Sequence, residues 1–469
     1  MKEHFGFAGF RVGQREVLES IWAGQSVLAL MPTGNGKSLC FQFPAKVREG
    51  LVLVVSPLIA LMQDQVIKAK QFGVDAVFIN SSLSREEREL RMQQLKSGRY
   101  SLLFVTPERF RQEEFWQSIA GRQVQLFAVD EAHCISQWGH DFRPDYAKLG
   151  EIRKRLGDPP TVALTATATP QVQQDILKSL RLEGAPILHS GIERPNLRLS
   201  VEDVYGLDEK IRAIVGLHFQ NPGPCIVYVS LIQTLKKIES ELNKLNITPL
   251  VYHGDLPSSV RSQNLKKFIL AESPLMLATP AFGLGIDKAD VRVVIHAETP
   301  GSLEAYFQEV GRAGRDGKES RCVLLYDPDD VSIQMEFLKW SHPEENYIRR
   351  IYELIRQRGR LDQDKFDFLR EQLSFKNKHD YRPEAAVAIL ERWGCIQRDD
   401  MPFPYRAVEE PTAENFLAED SQLLLKSQNT KLLEMVQFAQ MQEGCRLQRI
   451  YTYFGHPTEE PCGVCDLCS

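Results

Sequence analysis

Apolar residues recur along this chain in short unbroken runs that are separated by amphipathic stretches. Five early runs are almost continuously apolar, as strands buried in a parallel sheet require: Val27–Leu30, Leu51–Val55, Leu102–Val105, Leu126–Val129 and Val162–Leu164. A second series repeats the alternation: Cys225–Val229, Leu250–Tyr252, Leu275–Ala278, Val291–Ile295 and Cys322–Tyr326. The pattern predicts an α/β protein with two tandem parallel-sheet lobes, at residues 1–197 and 198–335.

The alternation of strands and helices stops after about residue 335. Three helices and two short extended pieces are predicted next: 347–356, 362–373, 382–393, 395–398 and 405–408. Three helices followed by a hairpin is the order of a winged helix, so we predict a winged-helix-like module at 345–408; a plain helical bundle fits the pattern equally well. The polar residues 409–421 indicate a linker, and residues 421–453 are predicted to be helical.

Composition and charge narrow the class of protein. The 469 residues are 43% hydrophobic and 25% charged, which excludes a fibrous or largely disordered chain. A net charge of -5 disfavours a uniformly basic nucleic-acid coat, although a local basic groove stays compatible with it. No apolar run reaches the roughly 20 residues that cross a bilayer, and the start lacks a secretory signal, so we expect a cytoplasmic protein.

A glycine-rich loop, Met31–Ser38, directly follows the first predicted strand. Its glycines let backbone N–H groups approach phosphate oxygens, so Thr33, Gly34, Asn35 and Gly36 are candidate ATP-binding residues. Lys37 is expected to reach the β- and γ-phosphates, and Ser38 to bind Mg²⁺. Met31 stands where the general pattern has glycine, so a ligand-free turn remains the alternative for this loop alone.

Two carboxylates, Asp130 and Glu131, follow another predicted strand. Ligands of open α/β sheets bind at this end of the strands, which suits Asp130 to Mg²⁺ and Glu131 to activating the attacking water. A solvated helix start is the alternative for the pair alone, and the upstream loop makes nucleotide hydrolysis the better interpretation.

An aromatic-rich polar stretch, Cys134–Tyr146, follows these carboxylates. Trp138 and Phe142 offer faces on which unstacked bases can stack, worth roughly 1–3 kcal/mol per base, and Arg143 adds a cation. The alternative is that the two rings belong to the core. Because the stretch begins directly after the carboxylates, a bound base can act on the catalytic Glu131.

Four of the nine cysteines gather at the end of the chain: Cys445, Cys462, Cys465 and Cys468. Their C-x16-C-x2-C-x2-C spacing suits a closed tetrahedral Zn²⁺ site, which is structural because no position is open for water. Unliganded cysteines at this density would be prone to oxidation. Zinc binding would stabilise the tail by on the order of 10 kcal/mol.

Together these motifs resemble those of the RecQ family of ATP-dependent DNA helicases, in superfamily 2. The match runs from residue 5 to about 328 and includes these further segments: Phe5–Gln14, Ser56–Gln65, Thr106–Arg109, Thr165–Thr167, Ala278–Asp287 and Gln308–Gly317. The resemblance implies two RecA-like lobes. It also implies that Phe7 stacks on adenine, that Arg11 binds the nucleotide, and that Gln14 reads the adenine edge.

The resemblance also assigns roles to residues that do not bind ATP through the glycine-rich loop. Arg109 belongs to a motif that contacts single-stranded DNA, and Thr165–Thr167 joins hydrolysis to DNA movement. The resemblance implies that Arg312 and Arg315 of the second lobe stabilise the negative charge on the γ-phosphate in the transition state. Arg315 is the better candidate for the arginine finger. A solvent-exposed basic loop is the alternative for these two arginines.

The layout departs from that of typical family members, in which the zinc subdomain comes shortly after the second lobe. Here more than a hundred residues separate Arg315 from Cys445. We therefore predict a divergent member with the module 345–408 inserted before a zinc subdomain at 421–469, and without the C-terminal helical domain. Candidate phosphate contacts in the insertion are Lys376, Lys378, Arg382 and Arg392, and a solvated basic turn explains them equally well.

The sequence and the resemblance together predict a DNA helicase that uses ATP, Mg²⁺ and Zn²⁺. We expect it to move 3′ to 5′ on single-stranded DNA, a polarity implied only by the resemblance, and to unwind duplex or forked DNA in repair or recombination. A monomer associated with a bacterial nucleoid is expected. Two alternatives stay open: a translocase or RNA helicase with the same motor, and a zinc-stabilised DNA-binding protein with a vestigial ATPase.

Overall fold

A computed structural model of the chain describes residues 1–57, 59–138, 143–283, 288–358, 366–373, 380–398, 405–417 and 419–468. The chain divides into two compact units. The first unit contains residues 1–328 together with 435–469, and the second contains residues 329–434. In the part of the chain described, no helix is long and apolar enough to span a membrane.

The first lobe is built on a seven-stranded parallel sheet of order β3-β4-β2-β5-β6-β1-β7. Its strands are β1 Val27–Leu30, β2 Leu51–Val55, β3 Ala76–Ile79, β4 Leu102–Val105, β5 Val124–Val129, β6 Thr161–Thr165 and β7 Ile187–His189. All five strands predicted for this lobe are confirmed. The two that the pattern missed, β3 and β7, are the edge strands of the sheet; β7 has three partly exposed residues, whereas β3 has four buried residues, as β1 has.

Eight helices accompany this sheet: α1 Lys2–Phe5, α2 Gln14–Trp22, α3 Leu39–Val47, α4 Ile59–Gln71, α5 Arg85–Lys96, α6 Glu113–Ile119, α7 Leu149–Arg155 and α8 Pro170–Ser179. Alternate residues of each central strand enter two separate apolar cores. Leu53 belongs to one core, and its neighbours Val52 and Val54 belong to the other. The sheet is therefore buried on both faces, which explains why its strands are apolar throughout.

The second lobe contains a six-stranded parallel sheet of order β10-β11-β9-β12-β13-β8. Its strands are β8 Leu197–Asp203, β9 Cys225–Tyr228, β10 Leu250–Tyr252, β11 Leu275–Ala278, β12 Val293–His296 and β13 Ser320–Tyr326. Its helices are α9 Gly206–Gln220, α10 Ile232–Lys244, α11 Ser258–Leu270 and α12 Leu303–Val310. The five predicted strands are present. The pattern missed the edge strand β8, which ends in the exposed acidic residues Glu202 and Asp203.

The second unit contains the predicted order of three helices and a hairpin. Its elements are α13 Val331–Ser341, α14 Glu345–Arg358, α15 Phe366–Leu373, α16 Arg382–Arg392, β14 Ile396–Arg398, β15 Tyr405–Ala407 and α17 Ala413–Leu417. The two strands are antiparallel. Buried Ile351, Ile355, Leu369 and Leu390 give this unit an apolar core of its own.

One expectation for the C-terminal third is wrong. The linker predicted at 409–421 contains α17, because Thr412 bonds the Asn415 side chain at the helix start and Phe416 packs on Trp393. Residues 421–453, predicted to be helical, form two helices with a break between them, α18 Glu419–Ala439 and α19 Arg446–Tyr453. In the break Gly444 directly precedes Cys445, the N-cap of α19, and has a φ of 92°, a backbone conformation that favours glycine.

Candidate nucleotide-binding cleft and metal centre

The glycine-rich loop Met31–Ser38 begins where β1 ends and leads into α3. Side chains from the start of the chain brace it: Gln14 Nε2 donates to the carbonyls of Asn35 (3.1 Å) and Gly36 (3.0 Å), and Arg11 Nη1 donates to Gly34 O. A Cβ added at Gly36 would lie 2.7 Å from Gln14 Nε2. The φ of 75° favours glycine at this position, and a Cβ there would displace the bracing amide of Gln14.

Phe7 lies in the same cleft with about half of its surface exposed (47%). Its ring packs edge-on against Phe72, at 5.7 Å between centroids. Phe72, Gln65 and Lys68 all line the cleft, and our sequence reasoning missed all three. Their spacing of three and four residues places them on one face of α4 and its C-terminal end, which was a signal available in the sequence.

Asp130 and Glu131 lie where β5 ends, beside the glycine-rich loop. Burial, reinforced by the neighbouring Glu131 charge, raises the pKa of Asp130 to about 7. Lys37 Nζ lies 3.9 Å from Glu131 Oε1. Glu131 has a left-handed backbone with φ 48°, a strained conformation for a residue with a side chain, and its N–H donates to Asp130 Oδ1 at 3.0 Å.

The carboxylate motif is connected to the end of β6. His133 Nδ1 lies 2.9 Å from the hydroxyl of Thr165 and 3.4 Å from Glu131 Oε2. Thr165 is the first residue of the Thr165–Thr167 motif, so that motif is in direct hydrogen-bond contact with the carboxylate segment.

A cavity of about 570 Å³ brings residues of both lobes together. It is lined by all five predicted catalytic residues, Lys37, Asp130, Glu131, Arg312 and Arg315, and by eight of the nine predicted ATP-binding residues, Asn35 being the exception. The Cγ of Arg315 lies 3.1 Å from the position that a Cβ on Gly34 would occupy. The second lobe therefore presents its arginines directly to the glycine-rich loop.

The aromatic-rich stretch closes on itself and contacts the carboxylate segment through its last residue. The Arg143 N–H donates to Cys134 O (2.9 Å), and the Tyr146 hydroxyl donates to Asp130 O (3.2 Å). Trp138 is partly buried and packs against the first-lobe core. Arg143 also reaches Pro57 O (3.2 Å), and Phe142 lies outside the described residues.

Arg109 is placed differently from the other predicted DNA contacts. Its side chain is buried, with 5% exposed, and Nη1 donates to Gln112 Oε1. Burial also lowers the pKa of its guanidinium. A direct contact between Arg109 and a DNA phosphate would require the side chain to leave this position.

The four clustered cysteines converge as their spacing predicts. Their Sγ atoms all lie within 4.8 Å of one another. Ligands at the 2.3 Å Zn–S distance of a tetrahedral site lie about 3.8 Å apart, so the set fits zinc. Although burial opposes it, N–H donors from Gln448 and Cys462 lower the pKa of Cys445 to about 7, which favours the thiolate that a metal requires.

The candidate phosphate contacts of the second unit are only partly described. Lys376 and Lys378 lie outside the described residues. Arg382 forms a two-pronged contact with the buried Asp380, with Nε and Nη2 2.9 Å and 2.7 Å from its two oxygens. Arg392 lies at the end of α16 and is partly buried.

Three family models match this chain. The DEAD/DEAH box helicase model matches residues 11–176, the helicase conserved C-terminal domain matches 208–317, and the RecQ zinc-binding model matches 411–469. The chain is also 35% identical over 469 residues to the probable ATP-dependent DNA helicase RecS of Bacillus subtilis, covering 100% of this chain and 90% of RecS. The chain belongs to the RecQ family of ATP-dependent DNA helicases.

Other similarities agree with this family and show how much of each relative the chain covers. The ATP-dependent DNA helicase RecQ of B. subtilis is 42% identical over 347 residues, which cover 74% of this chain and 58% of that protein. This chain thus spans little more than half of the length of that relative. The structure of yeast Dbp5 bound to RNA and ADP BeF3 shares the fold, with a TM-score of 0.59, 18% identity, and coverage of 72% of this chain and 89% of Dbp5.

Membership of the family identifies two sites of this helicase. The glycine-rich loop and most of the cleft's first-lobe lining lie within the DEAD/DEAH box match, the domain that uses ATP. The four cysteines lie within the RecQ zinc-binding match, so they form its zinc site.

Proposed function

We propose that this RecQ-family helicase couples ATP hydrolysis to 3′-to-5′ movement on single-stranded DNA, and thereby unwinds duplex or forked DNA. The observation that supports this motor is the single cavity lined by Lys37, Asp130 and Glu131 from one lobe and Arg312 and Arg315 from the other. A site shared by two lobes couples the state of the nucleotide to the spacing of the lobes. We further propose that it acts as a monomer in DNA repair or recombination in a bacterial cytoplasm.

Within the cleft, each residue has a distinct role in this proposal. Lys37 binds the β- and γ-phosphates, and Glu131 orients the attacking water. Ser38 and Asp130 hold Mg²⁺, which when bound offsets phosphate charge; the buried carboxylate of Asp130 next to Glu131 fits a divalent cation. Arg315 stabilises the charge that develops on the γ-phosphate, and Arg312 supports it from the same loop.

For the nucleotide base, the proposal assigns Phe7 to stacking on adenine. Gln14 would read the adenine edge; because its Nε2 bonds two loop carbonyls and its Oε1 accepts the Arg11 N–H, this role requires one of these bonds to be exchanged for the base. Arg11 binds the nucleotide in this proposal, and its bond to Gly34 O places its side chain beside the glycine-rich loop.

The aromatic-rich stretch is the proposed link between DNA and hydrolysis. Trp138 and Phe142 would stack on bases, and Arg143 would add positive charge. The contact that joins Tyr146 to Asp130 O supports this link, because it connects the stretch directly to the carboxylate segment. Arg109 can join the DNA site only after its buried side chain is exposed.

We propose that residues 345–408 form a winged-helix-like module that binds duplex DNA. The order α14, α15, α16, β14 and β15 and the separate apolar core support it. Deletion of 345–408 with the zinc site retained should weaken duplex binding and leave DNA-stimulated ATPase activity intact. Unchanged duplex affinity after the deletion would contradict the module's role.

The decisive experiment measures unwinding of 3′-tailed, 5′-tailed and forked duplexes together with ATPase activity. We expect unwinding of 3′-tailed and forked duplexes only. Lys37→Ala should abolish ATPase activity and unwinding while retaining DNA binding, and exposed Lys70→Ala is the matched control. Unwinding of RNA duplexes alone, ATPase without strand separation, or full function of Lys37→Ala would each favour one of the alternative activities.

A further inference from the structure

Arg194 lies in the segment that connects the two sheets, between β7 and β8. Its guanidinium is directed at residues 311–315, the loop that carries Arg312 and Arg315 and that we call the arginine loop. It donates to the carbonyls of Gly311 (3.2 Å), Ala313 and Gly314 (3.1 Å). One side chain from the connecting segment therefore fixes three peptide groups of the loop that faces the nucleotide.

The acceptors of this cation are the three peptide carbonyls and the side-chain amide oxygen of Asn196, to which its Nε donates at 3.4 Å. Burial lowers the pKa of the Arg194 guanidinium, and no carboxylate within the described ranges acts on it. A partly buried cation without a carboxylate is costly, so its hydrogen bonds must be well formed. Only arginine has a planar fork that reaches several fixed acceptors at once, and a lysine ammonium would keep the charge and lose this geometry.

The backbone of Arg194 is held by the zinc subdomain. Its N–H donates to the hydroxyl oxygen of Tyr451 at 3.0 Å. Tyr451 is buried in α19, the helix that begins directly after the zinc ligand Cys445. The sulfur of Cys445 accepts from the Gln448 N–H at 3.4 Å and so caps this helix.

A second contact ties the zinc subdomain to the strand that follows Arg194. Asp466, between Cys465 and Cys468, donates its N–H to Leu199 O and accepts the Val201 N–H at Oδ2, both at 3.0 Å. The zinc-binding turn is thereby joined to the edge strand β8 of the second lobe. The zinc subdomain therefore contacts Arg194 itself through Tyr451, and the strand that begins three residues later through Asp466.

The helix before the arginine loop is packed by the same subdomain. Phe454 lies 5.4 Å from Phe307, and Phe438 lies 5.2 Å from Tyr306, between ring centroids. Both Tyr306 and Phe307 belong to α12, which ends at Val310. The position of the arginine loop thus depends on contacts that are remote from the nucleotide.

We propose that Arg194 is a positioning residue that holds the arginine loop against the glycine-rich loop, and that Tyr451 keeps Arg194 in place. The inference rests on the proposed function, because it assumes that Arg315 acts in the transition state. A misplaced arginine lowers transition-state stabilisation more than ground-state ATP binding. Loss of Arg194 should therefore reduce kcat and leave KM for ATP almost unchanged.

The test is steady-state ATPase activity of the full chain with saturating single-stranded DNA. For Arg194→Lys we expect kcat to fall about tenfold, with KM for ATP within about twofold. Tyr451→Phe should lower kcat about threefold. The matched controls are Arg198→Lys, an exposed arginine on β8, and Tyr205→Phe, 71% exposed; both should retain full kcat.

Three further measurements separate positioning from general damage. Zinc content and melting temperature should match those of the unchanged protein. Affinity for ADP with aluminium fluoride, a transition-state mimic, should fall by the same factor as kcat, while affinity for ADP stays constant. Equal losses for both ligands, or a rise in KM that accounts for the lost activity, would overturn the positioning role.

A double-mutant cycle decides whether Arg194 acts through the finger. Once Arg315→Ala has removed the finger, Arg194→Lys should cause little further loss, because residues acting as a unit are not additive. Independent, multiplying losses would overturn the inference. If Arg315→Ala itself left kcat unchanged, the arginine assignment of the proposed function would fail; loss in Arg315→Ala alone would overturn only the role of Arg194.

Discussion

The ATP cleft and the unit formed by residues 329–434 use their basic side chains differently. In the cleft, Lys37, Arg312 and Arg315 line the cavity into which a nucleotide would bind. In the other unit, four arginines are each bonded to a carboxylate of the same unit: Arg349 to Glu345, Arg356 to Glu353, Arg370 to Glu384, and Arg382 to Asp380. The number of cations in a segment therefore does not indicate how much positive charge faces a ligand.

The cations of the two regions have different energetic roles. The cleft cations are suited to stabilising charge that arrives with the substrate, in a site partly closed to water. The paired arginines of the other unit stabilise its own fold. Surface pairs such as Arg356–Glu353 contribute about 0.5 kcal/mol or less, whereas buried ones depend strongly on both partners being present.

The largest effect should come from Glu131→Gln in the cleft. This change keeps the shape of the side chain and removes the group that orients water, so ATP hydrolysis should fall by about 10³-fold while ATP still binds. The measurement is kcat together with equilibrium binding of ATP. Glu151→Gln, on an exposed position of α7, is the control.

Loss of ATP binding together with hydrolysis would show that Glu131 is structural. In that case the contrast between a ligand-directed cleft and a self-paired unit would not hold.

A smaller effect is expected for Arg370→Ala in the other unit. Arg370 is 9% exposed and bonds both Asp380 O and the Glu384 carboxylate, so the change leaves buried groups without their donor. We expect α15 and α16 to lose about 2–4 kcal/mol of protection in hydrogen exchange, with ATPase activity within about twofold. Exposed Arg350→Ala should change neither.

If Arg370→Ala instead reduced ATPase activity as strongly as a cleft substitution, the two regions would not be energetically separate.

The pH dependence of the cleft should be measurable through Mg²⁺. Burial raises the pKa of Asp130 from 3.8 to about 7, so protonation competes with Mg²⁺ below about pH 7. The apparent Mg²⁺ affinity in ATPase assays should therefore fall by up to about tenfold per pH unit between pH 7 and 6. An Mg²⁺ affinity that is independent of pH in this range would exclude Asp130 as the titrating ligand.

The stability of the metal-free protein should depend on pH in the opposite direction from its Mg²⁺ affinity. Because the folded-state pKa lies above the ordinary value, Asp130 contributes most to the stability of the metal-free protein at low pH. That contribution is lost as pH rises from 3.8 through about 7. Mg²⁺ should therefore stabilise the protein more at pH 8 than at pH 6, as thermal melting can measure.

The smallest effect should come from Arg356→Ala. This arginine is 52% exposed and pairs with Glu353 one turn away, so its removal should cost less than about 0.5 kcal/mol. High salt should reduce even this difference, which hydrogen exchange of α14 can resolve. A loss of several kcal/mol would mean that exposed pairs also carry the fold of this unit.

Most of the fold could be predicted from the sequence, because strands buried on both faces are apolar throughout. β1, β2 and β9 were found in this way, whereas β3, β7 and β8 were missed. β7 has only three residues and β8 is partly polar, so their patterns differ little from that of a loop. The break at Gly444 was missed because apolar residues at helical spacing continue on both sides of it.

The candidate site was predictable wherever its residues form one local motif. Lys37, the pair Asp130 and Glu131, and the cysteine set each depend on short-range spacing. Arg194 was not found, because its role follows from neighbours distant in the chain: it bonds a loop 117 to 120 residues away. The burial of Arg109 was invisible for the same reason.

The sequence by itself determined the family, the two lobes, the chemistry of the ATP loop and the four zinc ligands. Only the tertiary structure decided that Arg109 is buried, which arginines of the second unit are paired with acids, and how the zinc subdomain reaches the arginine loop. The physical reason is that backbone conformation and ligand spacing are local properties of the chain. Burial and charge pairing depend on side chains that only the folded sheet order brings together.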